Sequence, residues 1–225
     1  MAELPILYSF RRCPYAMRAR IALLVSGTDC IIREVALDNR PAALIAVWPR
    51  ATVPVLVLPD GQAITESLEI MRFALQRHDP EQWLDGDDAD LLAANDGPFK
   101  HHLDGYKYPG RHDDDPLVHR AAGIEIIAGL ETRLSQHANL CGDGRTLADI
   151  AIMPFVRQFA MTDRAWFEAQ PLPAVQSWLA RHIASSLFDQ AMIRLAPWQD
   201  GDAPTWFPPI LQPREESDAD DRPRH

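Results

Sequence analysis

Ile6-Leu7-Tyr8-Ser9-Phe10-Arg11-Arg12-Cys13-Pro14-Tyr15-Ala16 is the stretch on which the reading of this chain rests. Ile6-Leu7-Tyr8 reads as the end of a short apolar strand, Ser9 to Arg12 as a turn, and Pro14 as the first residue of a helix, where its missing N–H costs nothing. Cys13 then stands at or beside the N-cap, facing the unpaired amides and the positive dipole end of that helix. Such a position can draw a thiol pKa from ~8.5 into the range of roughly 3.5–7.5. Arg11, Arg12 and Arg18 add positive charge nearby. The plainer alternative is a buried, inert cysteine that happens to precede a proline.

Working outward, the first eighty residues alternate between strand and helix. Leu4 to Ser9 is a strand and Pro14 to Val25 a helix with Met17, Ile21 and Leu24 on one face, ended by Gly27. Cys30 to Val35 is a second strand and Pro41 to Val47 a short helix. Val55 to Leu58, Asp60-Gly61 and Ala63-Ile64 form a hairpin with an Asp-Gly turn. Ser67 to Gln76 closes the unit as a helix. The order β-α-β-α-β-β-α predicts an α/β domain with a mixed sheet over residues 1–79.

His78-Asp79-Pro80 opens a linker over 80–86, and the pattern then becomes all-helical across 87–198. Helices are expected near 87–108, 116–138, 147–162, 173–185 and 187–195. Phe99, Tyr106 and Tyr108 are candidates to line a second-substrate pocket, against the commoner role of aromatic residues as core. A Pro- and Asp-rich tail occupies 199–225. Its Trp206, Phe207, Ile210 and Leu211 are expected to dock on the helical domain, and Arg214 to His225 to be mobile.

Composition narrows the function classes. The chain has 225 residues, 47% of them hydrophobic, and a net charge of −10. The acidity is concentrated after residue 80, while the first eighty residues carry nine arginines against eight acidic groups. A nucleic-acid surface is therefore not expected, whereas the first third could accept a small anion. No apolar run approaches the ~20 residues that cross a bilayer, so no membrane role is expected. Met1-Ala2-Glu3-Leu4-Pro5 lacks a basic segment followed by an apolar one. The three cysteines, Cys13, Cys30 and Cys141, suggest neither a disulfide framework nor a metal set. Cytoplasmic localisation is the resulting expectation. His101, His102, His112 and His119 with Asp113 to Asp115 match no recognised ligand spacing and read as a solvated loop before a helix, so no metal is expected.

Four features of the first half together resemble the thioredoxin-like domain of glutathione transferases, above all the omega class and its bacterial relatives. They are the strand-to-helix turn ending in Cys13-Pro14-Tyr15-Ala16, Thr52-Val53-Pro54-Val55-Leu56, Thr65-Glu66-Ser67, and Arg40-Pro41 thirteen residues before Val53. Thr146-Leu147-Ala148-Asp149, a capping signature, and Pro173 to Leu179 resemble helices of that family's second domain. The resemblance spans about residues 4–196 and implies the glutathione transferase fold: α/β plus all-α, an N-terminal thioredoxin-like domain followed by a C-terminal helical bundle. It further implies glutathione as co-substrate, Cys13 as the catalytic thiol, and Arg40, Val53, Pro54, Glu66 and Ser67 as its binding residues.

The physical roles are coherent. A cis Pro54 would expose the Val53 backbone to an extended peptide. Ser67 at a helix N-terminus favours a carboxylate. Glu66 can accept from an ammonium and Arg40 can pair with a carboxylate. Two alternatives stand beside these: Glu66-Ser67 as a plain helix cap, and Arg50 in place of Arg40. Tyr8 is read as packing, and Cys30 and Cys141 as structural.

The resemblance implies a glutathione-dependent thiol transferase. Since Ala16 stands three residues after Cys13, no CxxC partner can resolve a disulfide internally, and a monothiol cycle is expected. Partners implied are glutathione, a small second substrate and a second copy of the chain in a homodimer. The alternatives are a transferase-like interaction or regulatory protein without turnover, a glutathione carrier, and conjugation of glutathione to electrophiles.

Overall fold

The computed structural model describes residues 3–111 and 114–208. The expected docking of Ile210 and Leu211 and the mobility of Arg214 to His225 fall outside them, as do His112 and Asp113.

The first half forms as its alternation requires. Strand β1 (Ile6–Ser9) runs into helix α1 (Pro14–Val25), then β2 (Cys30–Glu34), α2 (Ala42–Val47), β3 (Val55–Val57), β4 (Ala63–Ile64) and α3 (Ser67–Arg77). β1 and β2 are parallel, with Ile6 opposite Ile31. β3 runs antiparallel to β1, with Leu7 opposite Leu56, and β4 antiparallel to β3. One face of the sheet packs on α1 and α3. The other carries Tyr8, Val35 and Val55 under Leu44 of α2.

The sheet has a fifth strand. β5 (Trp206–Phe207) pairs antiparallel with β2, with Cys30 opposite Phe207, giving the order β4-β3-β1-β2-β5. Trp206 and Phe207 therefore dock on the sheet of the first half, correcting the expectation that they dock on the helical domain. Without β5, β2 would be an edge with unpaired amides. Phe207 fills the core face with no exposed surface, while Trp206 points outward.

The helical half contains α4 (Ala89–Ala94), α5 (Lys100–Lys107), α6 (Pro116–Leu134), α7 (Leu147–Ala160), α8 (Arg164–Glu168), α9 (Pro173–Ile183) and α10 (Ser186–Ala191). The long helix expected over 87–108 is divided by a widened π-helical turn at Asn95–Phe99 that contains Pro98. Proline cannot donate to the helical ladder, and the local widening accommodates that loss. α8 was not foreseen.

From Leu147 to Val156, α7 is apolar apart from Asp149 and is accordingly buried. Its start is fixed by Asp149, which accepts from the Thr146 amide (2.9 Å) and hydroxyl (2.8 Å), the Leu140 amide (2.8 Å) and the Trp178 indole (2.9 Å). α1 packs against α3 on one side and α7 and α10 on the other, so one core runs through both halves. No helix among the described residues is long and apolar enough to cross a membrane.

Candidate active site

α1, the loop before β3 and the start of α3 converge on one cavity of about 480 Å³. Cys13, Arg40, Val53, Pro54, Glu66 and Ser67 all line it. Each arrives by a separate local rule. Cys13 is the N-cap of α1 in extended conformation, with Pro14 directly after it. The turn before it is closed by the Cys13 amide on the Phe10 carbonyl (2.9 Å) and by the Arg11 amide on the Glu34 carboxylate (2.7 Å). The Val53–Pro54 peptide is cis. Glu66, exposed and extended, caps α3 by position yet makes no side-chain capping bond, which speaks against the plain-cap alternative. Ser67 is the buried first residue of α3, and its hydroxyl accepts from Arg18 at 3.4 Å. Arg50 instead lays its guanidinium over the Trp48 ring at 5.4 Å, leaving Arg40 as the arginine on the cavity.

The electrostatics of Cys13 differ from the sequence expectation. Burial pushes its thiol pKa up, and this outweighs the Ala16 and Tyr15 amides and the Lys100 and Arg18 charges that pull it down. The thiol donates to the Val53 carbonyl at 3.6 Å. The helix N-terminus acts as expected on the thiolate, but desolvation of a half-buried sulfur is the larger effect. Burial also pushes Cys30 up to about 12, consistent with an inert core thiol. Cys141 is exposed on the far side of the linker turn, contacting the Gly86 carbonyl at 3.8 Å.

Residues 7–82 match the family described as "Glutathione S-transferase, N-terminal domain", and residues 81–181 the one described as "Glutathione S-transferase, C-terminal domain". The chain belongs to the glutathione S-transferase family. This transferase is 29% identical to a probable maleylacetoacetate isomerase of Caenorhabditis elegans over 185 residues, which is 76% of the chain and 85% of the relative. Among solved structures it resembles a Pseudomonas fluorescens glutathione transferase family member with two glutathione bound. That match has a TM-score of 0.67 at 21% identity and covers 85% of this chain and 93% of the other. It also resembles the trimeric glutathione transferase of Leishmania, with a TM-score of 0.70 at 23% identity. There it covers 85% of this chain and spans only 46% of the longer Leishmania one. These likenesses show the fold.

Several residues of the transferase cavity were missed in the sequence. Tyr15 lines it, its ring edge-on to Phe155 with centroids 4.8 Å apart. Asp96, in the π-helical turn, lines it too and receives the buried Arg18 guanidinium in a two-pronged pair, one bond being 2.9 Å. Arg18 also donates to the Ala151 carbonyl at 2.6 Å and lies over the Phe155 ring at 4.4 Å. An Arg in an apolar helix gives no hint of its partner 78 positions away. The expected aromatic lining is corrected as well. Phe99 and Tyr106 are buried against Phe159, and Tyr108 sits between Lys107 and Arg111, so none of the three lines the cavity. Tyr8 is packing as read: it is buried, accepts from Arg33 at 2.6 Å and meets Trp198 edge-on.

Proposed function

We propose that this protein is a cysteine-type, omega-like glutathione transferase that performs thiol–disulfide exchange through Cys13. The supporting observation is that one cavity is lined by a helix-capping cysteine, the backbone beside a cis proline, an arginine and an acidic–serine pair at a helix start. Glutathione presents two carboxylates, one ammonium and an extended backbone, and these groups complement Arg40, Ser67 with the α3 amides, Glu66 and Val53 respectively.

In the first step the Cys13 thiolate attacks the glutathionyl sulfur of a mixed disulfide. The partner leaves as its thiolate, and a Cys13–glutathione disulfide forms. A second glutathione thiolate then attacks that disulfide, releasing oxidised glutathione and restoring Cys13. Ala16 offers no thiol to intercept the intermediate. The same attack could remove glutathione from a glutathionyl adduct or serve dehydroascorbate reduction. The reading includes a small second substrate and a homodimer.

Reduction of a glutathionylated peptide by glutathione should fall about 10³-fold or more in Cys13→Ser, with glutathione binding by calorimetry retained. Equal turnover in both proteins would remove Cys13 as the nucleophile. Binding without turnover in either would favour the carrier or regulatory alternative. Conjugation with Tyr8 or Ser9 as the hydroxyl donor is less favoured, because both are buried and neither lines the cavity.

The Caenorhabditis relative motivates a second reading, isomerisation of an activated double bond. Reversible addition of a thiolate turns such a bond into a single bond about which rotation is free. Assaying maleylacetoacetate with wild type and Cys13→Ser separates the two: isomerisation undiminished in the variant would favour glutathione's own sulfur as nucleophile.

A further inference from the structure

We propose that His101, His102 and His119 bind a divalent late first-row transition ion, with zinc the ion to test first. None of the three lines the Cys13 cavity, so the proposal stands apart from the reading above. Their candidate ligand nitrogens all lie within 4.8 Å of one another. Ring centroids are 5.0 Å apart for His101–His102 and 5.3 Å for both His101–His119 and His102–His119, a near-equilateral triangle. Three imidazoles on one tetrahedral ion, with metal–nitrogen bonds of about 2.0–2.1 Å, need their nitrogens roughly 3.3 Å apart. The Nδ1 atoms of His102 and His119 already stand at 3.1 Å. The His101 nitrogen lies within 4.8 Å of both and would have to move inward to complete the face.

The packing prepares this convergence. His101 and His102 are adjacent on α5, a spacing that does not put two side chains on one helical face. His119, from the first turn of α6, approaches both rings and closes the triangle. Gly105 permits that approach. A Cβ there would occupy the space of the His119 ring, so α5 gives up a side chain where α6 comes closest. Glycine inside a helix is less favourable than alanine, a cost offset here by the approach of the imidazole.

One carboxylate lies just outside the cluster, beyond hydrogen-bond reach. His119 turns Nδ1 toward His102 and Nε2 toward the Asp114 carboxylate at 3.8 Å. A carboxylate on the distal nitrogen of a ligating histidine fixes the tautomer and raises ligand basicity. His119 is buried, His102 half-buried and His101 exposed, so the fourth position would open to water. All-nitrogen donors select zinc, copper or nickel over magnesium and calcium. Bound there, the ion would clamp α5 to α6. The sequence expectation of no metal rested on spacing, which does not register a ligand set drawn from two helices.

The test is calorimetric titration of chelator-treated protein with zinc, repeated on His101→Asn and His102→Asn. Both positions have enough exposure for the variants to fold. Wild type should bind one equivalent and gain thermal stability. Each variant should lose affinity by more than the roughly 10–100-fold that an outer-shell loss costs, and Asp114→Asn should fall within that range. Cobalt loading should give ligand-field bands without a thiolate-to-cobalt charge-transfer band. Absence of saturable binding, unchanged affinity in the histidine variants, or binding abolished by alkylating Cys13 would each overturn the proposal.

Discussion

In the ligand-free protein the Cys13 sulfur is desolvated enough for its pKa to rise, against the pull of the Tyr15 and Ala16 amides and the Lys100 and Arg18 charges. Since the thiolate is the reactive form, its fraction at neutral pH is small and grows with pH up to the raised pKa. Alkylation of Cys13 by iodoacetamide should therefore accelerate about tenfold per pH unit through neutrality and continue rising beyond pH ~8.5. Lys100→Ala should slow it at pH 7 by removing a nearby positive charge. A rate that levels off below pH 7 would show that the amides win over burial. The candidate thiol was legible from Cys13-Pro14 after a strand; its protonation was not, because desolvation depends on what covers the sulfur. The same holds for Glu66-Ser67 and Arg40, whose positions were readable while their common exposure to one cavity required the fold.

Among the elements, β5 departs most from the sequence reading. A strand of two residues is too short to show alternation, and its partner is whichever sheet edge lies open within reach. β2 offers that edge, and the Phe207 ring completes the core beneath it, with the Arg20 guanidinium 5.5 Å from the ring centre. Phe207→Ala should cost about 3–5 kcal/mol in urea unfolding, far more than the same change at the half-exposed Trp206. Comparable small losses at both positions would mean that the strand adds little to the sheet. The helices of the second half were legible from apolar periodicity and from the Thr146–Asp149 cap. The break at Asn95–Phe99 was less so, because Pro98 announces an interruption without saying whether the helix ends or widens there.

The two halves are joined by Arg18, whose buried guanidinium reaches from α1 to Asp96 before α5, to the Ala151 carbonyl of α7 and to Ser67 of α3. Asp96 keeps 29% of its side chain exposed while that of Arg18 has none. Removing the carboxylate would leave a buried cation with only neutral acceptors. Asp96→Ala should destabilise the protein by about 3 kcal/mol, with Asp96→Asn recovering part of that, both read as shifts of the urea midpoint. An unchanged midpoint would show that water serves Arg18 as well as Asp96 does. The sequence by itself determined what local chain chemistry controls: the βαβαββα order, the cysteine at a helix start, the proline before β3 and the capped, largely apolar α7. Backbone propensity, capping and hydrophobic period act over a few residues and survive without knowledge of the rest. The tertiary structure alone decided the raised Cys13 pKa, the Arg18–Asp96 pair, the fifth strand and the meeting of three histidines. Each of these depends on desolvation or contact between residues distant in the chain, which only the packed core brings together.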